Sequence, residues 1–596
     1  MAPCDPSRLT RRSLVTAAAG GASAMALTGT AIAHDAHIHS GSPSSRTARL
    51  QDANLPTPRE QTLVLEQGTN NVWDSFNPFI PNGEAYNYGY AIVCREYLFY
   101  ANFLTGEITP WLGQEYTYND DFTQCTLTLN PNARWNDGEP FTAHDIVFTQ
   151  TLLRENPELN GAAVVIRDVA EVSATDDHTV VWNLPEPNPR FHYRFLAGII
   201  SDGVRIVPQH IWEGEDPGSF KFNPPVQTGP YVLEEASATK LYYLWRKNPD
   251  YWNKAELDPA PEYVMWRQQS EVDTSVQAFL AGNLDNSGNI DYLNQQVIES
   301  QYDQTARFDF PDPCTRGFWF NVESPSGLFA TPEGRWALSH LIDREVIGTT
   351  IWQPASRPAT YPWADYDGWA PWAPAEVMDQ FDLTFNVDKA NELLDALGAT
   401  ERDGDTRILN GQPLRLTMIT PAETTGLEYQ IGSSFANTAR EAGIDIELKS
   451  LPGSAWGDAF NTGDYDISCH WICGMQFDPN QLYDDFHSRN YVPIGERAEN
   501  DYESVRLQRP ELDALIEELE YADPEDEANR PTFDQALEVF MTELPAVASI
   551  QTIYPMFFNT AYWTGWPSAD DPYTIPANWW GQFMFVIGNL RPASEA

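Results

Sequence analysis

The stretch Arg134-Trp135-Asn136-Asp137-Gly138-Glu139-Pro140-Phe141-Thr142-Ala143-His144-Asp145-Ile146-Val147-Phe148 runs from a tight turn directly into a helix. Asn136-Asp137-Gly138 supplies the residue types that a reversing backbone tolerates. Thr142 is placed to cap the helix, and Asp145 three residues on completes the start signal. Immediately upstream, residues 114–130 alternate apolar and aromatic positions around Asn119-Asp120-Asp121, which predicts a β-hairpin. Downstream, Thr228-Gly229-Pro230-Tyr231-Val232-Leu233 reads as a turn and a strand. Residues 241–251 read as its partner, leaving through Asn248-Pro249-Asp250-Tyr251-Trp252. Residues 335–347 bring Trp336, Leu338, Leu341, Ile342 and Ile347 close to a helical period. Residues 387–398 and 429–443 predict amphipathic helices stopped by glycine. Each of these leads toward an apolar strand, so the fold class is α/β, and no internal repeat interrupts it.

Composition narrows the function classes. The 596 residues hold 36 Lys+Arg against 85 Asp+Glu, a formal net charge of −49, which excludes a nucleic-acid binder. Hydrophobic residues at 42% and aromatics at 13% provide for a large core and exclude disorder over most of the length. The length predicts several domain-sized units. Beyond the N-terminus no stretch is long and apolar enough to cross a bilayer. Lysine occurs only at 221, 240, 247, 254, 389 and 449, the other basic residues being arginine. That surface fits either hydration in high salt or a GC-rich genome that favours arginine codons.

The N-terminus reads as an address. Thr10-Arg11-Arg12-Ser13-Leu14-Val15 opens an Ala- and Gly-rich run ending at Ala31-Ile32-Ala33, so residues 1–33 are predicted to be a twin-arginine signal cut before His34. The chain would then work in the periplasm or on the extracellular face of the cytoplasmic membrane. Residues 34–49 follow as a flexible linker. Its His34-Asp35-Ala36-His37-Ile38-His39 is read as mobile chain rather than a metal site, because serine and proline follow. Five cysteines remain after the cut (Cys94, Cys125, Cys314, Cys469 and Cys473), an odd number that leaves at least one unpaired. Cys469 and Cys473 have the wrong spacing for a redox pair, and no second pair supplies zinc. The five are read as buried apolar thiols rather than a disulfide framework, with no metal and no cofactor.

Taken in order, Asn136-Asp137-Gly138 with Thr142-Ala143-His144-Asp145, Thr228-Gly229-Pro230-Tyr231, Asn248-Pro249-Asp250-Tyr251-Trp252, Ile342-Asp343-Arg344-Glu345 and Gly463-Asp464-Tyr465-Asp466 resemble the family-5 extracellular solute-binding proteins of ABC importers. The resemblance spans nearly all of the mature chain. It implies a two-lobe periplasmic-binding-protein type II fold with an extra subdomain on lobe I and a two-strand hinge. Lobe I would take residues 50–95, 205–316 and 546–596, the extra subdomain 96–204, and lobe II 317–545. The outward crossing is expected near Gly317-Phe318-Trp319-Phe320-Asn321 and the return at 546–552. It also implies a monomer that delivers its ligand to a membrane permease driven by a separate ATPase.

Catalytic signatures do not compete with this reading. The chain carries no G-x-S-x-G elbow, no H-E-x-x-H helix and no glycine-rich phosphate loop. Paired carboxylates are uninformative among 85 acids, so the chain is read as a non-enzyme. In peptide-capturing relatives, the resemblance implies an acid four positions before the proline of Met475-Gln476-Phe477-Asp478-Pro479, holding the peptide's ammonium group. Here that position is Met475, which argues for an uncharged ligand, although a shift in register would let Asp478 substitute. The C-terminal Tyr562-Trp563-Thr564-Gly565-Trp566-Pro567 resembles the oligosaccharide-binding branch, and Trp73-Asp74-Ser75-Phe76-Asn77 points the same way. Indole faces edged with amides and carboxylates suit the C–H faces and hydroxyl rims of sugar rings. The expected ligand residues are therefore Trp73, Asn77, Trp363, Trp372, Trp471, Asp478, Trp563 and Trp566. Trp369 lies in the same Pro-rich loop as Trp363 and Trp372. The ligand is expected to be cellobiose or a related β-glucan, with an oligopeptide or dipeptide as the alternative and an exported carbohydrate-active enzyme as the rival of another class.

Overall fold

The long strand Ala546–Asn559 organises the molecule. In the computed structural model, which describes residues 55–67, 72–80, 86–198, 205–268, 272–287, 292–351, 355–422, 424, 426–475, 477–498 and 505–595, it lies at the middle of a 12-stranded sheet. On one side the path runs through Thr315–Phe320, Ile467–Ile472, Arg415–Thr420 and Asp445–Ser450. On the other it runs through Asn286–Ser287, Thr62–Gln67, Tyr263–Gln268, Tyr242–Lys247 and Tyr231–Ser237. The expected signal and linker, residues 1–49, lie outside the described residues.

Two antiparallel passages join the halves. Thr305–Pro311 pairs with the end of the long strand, from Pro311 opposite Ile553 to Thr305 opposite Asn559. Thr315–Phe320 pairs with its beginning, and the register shifts between Arg316 and Gly317. Every residue of Thr315–Phe320 is buried, the continuous pattern of a strand covered on both faces. Gly317 is required by this close approach: a Cβ there would meet the Val547 carbonyl oxygen at 2.1 Å. Arg316 fixes the passage by donating to Asp312 and Glu428, both at 2.8 Å.

The short-range readings match the structure. Gly113–Tyr118 and Gln124–Leu129 form the hairpin and continue into a separate four-stranded antiparallel sheet. Helix Ala143–Glu155 starts at a Thr142/Asp145 capping box, in which the Thr142 amide donates to Asp145 Oδ2 at 2.9 Å. Helices Val387–Ala396 and Leu427–Glu441 end before Gly398 and Gly443, both with positive φ.

Two expectations are corrected. The helical period over 335–347 is broken into Pro332–Ser339 and the short turn Arg344–Val346. The His340 carbonyl accepts the Asn386 amide at 2.8 Å instead of continuing its own helix, and Asp343 recaps the chain by accepting from the Val346 amide. The cysteines are not all free thiols: Cys314 and Cys473 form a disulfide with Cα atoms 4.6 Å apart. They flank Thr315 and Ile472, which face each other in adjacent antiparallel strands, so strand register brings them together. Cys94, Cys125 and Cys469 are buried and free.

Candidate functional site

Where the extra sheet and its following loops face the far half of the large sheet, two chambers open side by side. Strand Phe99–Ala101 leads into a turn in which Gly106 donates to the Asn102 carbonyl at 2.7 Å, presenting Phe103. Opposite it lies 367–372, and Gly106 and Gly368 meet almost backbone to backbone: a Cβ on Gly368 would lie 2.8 Å from the Gly106 nitrogen. Only residues without side chains allow this contact between segments so distant in the chain. Phe103 then packs against Trp369 with centroids 5.1 Å apart, against Trp580 at 6.1 Å and against Phe477 at 6.5 Å.

Tyr193 and Phe477 separate the two chambers and line both. Their rings stack with centroids 3.9 Å apart and planes 11° from parallel. The smaller chamber, about 230 Å³, is walled by Phe103, Trp369 and Trp372, with Asn102, Glu525 and Arg530 as polar edges. Arg530 sits 3.9 Å above the Trp372 ring, a cation–π contact that holds the indole in place. Burial, followed by the charge of Asp523, raises the Glu525 carboxyl above its ordinary value. Burial and then the charges of Asp478 and Glu525 raise Tyr193, leaving a neutral hydroxyl able to donate. The larger chamber, about 840 Å³, is lined by arginines and carboxylates, among them Arg194, Arg489, Glu186 and Asp484.

Asp478 stands on the wall of the larger chamber with both oxygens engaged. Oδ1 accepts the Asn480 amide at 2.8 Å, and Oδ2 accepts Arg190 Nε at 2.9 Å. Arg190 is positioned by a turn in which its own amide donates to Asn188 Oδ1 at 3.0 Å. The short helix Phe191–Phe195 that follows is tied to the extra sheet through His192 and the Tyr118 hydroxyl, 2.9 Å apart.

The eight expected ligand residues separate into groups. Trp372 lines the smaller chamber and Asp478 the larger. Trp471 is half-buried in strand Ile467–Ile472 against Trp456, and its carbonyl accepts the Trp319 indole N–H at 3.1 Å. Trp363 is buried beside Tyr361. The other four belong to the packing of the opposite half. Trp73 stacks on Tyr243 at 4.7 Å. Asn77 spends its amide on the Pro217 and Phe220 carbonyls and accepts from the Phe79 amide. Trp563 is fully buried, and Trp566 stacks on Phe558 at 4.6 Å while donating to the Trp563 carbonyl. None of these four lines either chamber. Phe103, Arg190, Tyr193, Phe477 and Arg530 were not singled out by the sequence reading. Only the proline-flanked Pro187-Asn188-Pro189-Arg190 and the Phe477-Asp478-Pro479 corner mark them locally.

Among the described residues no helix is long and apolar enough to cross a membrane, and no group of three or more His, Cys, Asp or Glu is arranged to hold a metal. Residues 107–492 match the bacterial extracellular solute-binding proteins, family 5 Middle. Protein XP55 of Streptomyces lividans is 29% identical over 342 residues, covering 56% of this chain, and the match spans 57% of that protein's length. The periplasmic murein peptide-binding protein MppA of Escherichia coli is 25% identical over 396 residues, covering 62% of this chain and 67% of that one. Among solved structures, a periplasmic oligopeptide-binding protein of an oligopeptide ABC transporter from Thermotoga maritima superimposes with a TM-score of 0.76 at 23% identity, covering 90% of this chain and all of that one. Its mannohexaose-bound form gives 0.69 at 23% identity, covering 90% and 99%. The fold is the mixed α/β periplasmic-binding-protein type II fold, and the chain belongs to the bacterial extracellular solute-binding proteins of family 5.

Proposed function

We propose that this protein is the exported, monomeric capture subunit of an ABC importer, closing two lobes around an oligosaccharide such as cellobiose or a related β-glucan. It passes the ligand unchanged to a membrane permease with its ATPase. The lobes are those expected from the sequence, 317–545 forming lobe II, with the paired strands Thr315–Phe320 and Ala546–Asn559 as the hinge. The observation that carries the reading is the aromatic chamber, whose walls come from both sides of the cleft: Phe103 and Tyr193 from one, Trp369, Trp372 and Phe477 from the other. Stacking a sugar face of roughly 70 Å² contributes about 2 kcal/mol per ring, and the chamber's polar edges supply partners for hydroxyls. Asp478 supports an uncharged ligand, since its carboxylate is already held by Arg190. Ligand stabilises the closed form only through contacts that the open form lacks.

An oligopeptide is the second reading. It is favoured by the larger chamber, where alternating arginines and carboxylates can meet charged chain ends, and by the peptide-binding names of several relatives. Calorimetric titration with cellobiose, cellotetraose, mannohexaose, a tripeptide and a nonapeptide decides between the two. Saturable binding of a glucan without product supports the first reading. Binding of peptides alone refutes the sugar assignment, and sugar hydrolysis refutes the capture role.

A further inference from the structure

Arg190 reaches out of the extra subdomain and ends on lobe II. Besides the Asp478 carboxylate, its guanidinium donates to the carbonyls of Leu519 at 2.8 Å, Glu520 at 3.3 Å and Ala522 at 3.2 Å. Leu519 and Glu520 belong to the last turn of helix Pro510–Tyr521 and Ala522 is its C-cap; these carbonyls carry the helix's negative dipole end, the Leu519 carbonyl also accepting the Ala522 amide at 3.3 Å. One side chain thus neutralises a carboxylate and caps a helix C-terminus, both on the opposite side of the cleft. The contact is secluded: the side chains of Arg190 and Asp478 are 15% and 4% exposed. Three residues on, Tyr193 stacks on Phe477, so the short helix that follows Arg190 docks as a unit.

We propose that Arg190 is a closure latch: a positioning residue that holds the extra subdomain on lobe II and sets how much of the protein is closed before ligand arrives. The proposal rests on the two-lobe clamp reading above and not on which ligand the clamp takes. Opening the cleft separates Arg190 from Asp478 and the helix end together, so the whole contact belongs to the closed form. Charge-assisted hydrogen bonds of this kind are stronger than neutral ones. Removing the guanidinium lowers the closed-to-open ratio about tenfold or more, and apparent affinity falls in proportion to the closed fraction.

The test measures closure without any ligand. Ile166 in helix Ala162–Asp168 and Ile494 on lobe II are 45% and 41% exposed. Each accepts a spin label through an Ile→Cys substitution, since the described native free cysteines are buried. Pulsed electron–electron distance measurement on the full-length protein is expected to show one short population for the parent. Arg190→Ala is expected to move a clearly resolved fraction of it to a longer and broader one. Arg190→Lys keeps the charge but cannot reach Asp478 and the three carbonyls at once, and is expected to fall between. An Arg190→Ala protein with the parent's distance distribution overturns the proposal. Should that variant fail to fold, an Arg190→Lys protein with the parent's distribution overturns it instead. Failure of every sugar and peptide to bind would refute the capture reading while leaving this distance measurement unaffected.

Discussion

Glu96 offers a sharp test of how the structure balances burial against hydrogen bonding. Its carboxylate is buried and accepts the Trp111 indole N–H at 2.7 Å, the Trp252 indole N–H at 2.8 Å and the Tyr251 hydroxyl. Burial outweighs the opposing pull of these donors, Tyr251 first, and the carboxyl is pushed up to about 7. Because the folded value lies above the ordinary one of 4.5, the folded state binds more protons throughout that window. Stability from this group is therefore full below the unfolded value and is lost as pH rises toward the folded value. Between pH 5.5 and 8 the loss amounts to about 2 kcal/mol at 1.36 kcal/mol per unit. Glu96→Gln cannot ionise. Its amide NH2 is set against either the Trp252 indole N–H or the Trp111 and Tyr251 donors, a penalty that does not change with pH. Urea unfolding of both proteins at several pH values isolates the term as a difference in slope. The stability of the parent relative to Glu96→Gln is expected to decline by about 2 kcal/mol over that range. A constant difference would refute the reasoning, because it would mean the carboxyl titrates alike in the folded and unfolded chains.

The other expectations concern hinge, staple and chamber. Gly317→Ala drives a methyl into the Val547 carbonyl, where backbone cannot step aside, and is expected to destabilise by about 3 kcal/mol or more in urea unfolding. Replacing both Cys314 and Cys473 by serine releases a connection between residues separated by 159 positions and is expected to lower stability by about 2–5 kcal/mol, read from the same unfolding curves. Trp566→Ala removes a core indole stacked on Phe558 and is expected to lose about 3–5 kcal/mol of stability. Phe103→Ala, on the chamber wall, is expected to weaken ligand binding about tenfold or more by calorimetry. An unchanged ligand affinity in Phe103→Ala would remove the chamber from the capture site.

The fold was legible wherever its information is local. Thr142 and Asp145 announce a helix start because the cap and its partner lie three residues apart, and Gly398 and Gly443 stop helices through their own backbone freedom. The period over 335–347 misled because the partner that ends the helix, Asn386, lies in another segment. The Cys314–Cys473 pair needed the register of two strands that the sequence does not align. The site suffered from the same limitation. Trp566 and Trp372 are both tryptophans in proline-containing loops, yet one fills a core and the other walls a chamber. Phe103, Tyr193 and Phe477 meet only after three separate segments converge. Aromatic content told of packing surface without telling which side of it faces a cavity.

The strand Ala546–Asn559 pairs with both halves of the large sheet, yet it lies C-terminal to every other strand of that sheet. A nascent or truncated polypeptide ending before it would leave Thr315–Phe320 and Asn286–Ser287 with bare hydrogen-bonding edges in both halves at once. Such fragments should be poor survivors, open to proteolysis and to sticking together. The architecture thereby makes the two halves of the sheet depend on one shared strand, which completes the hydrogen bonding of both.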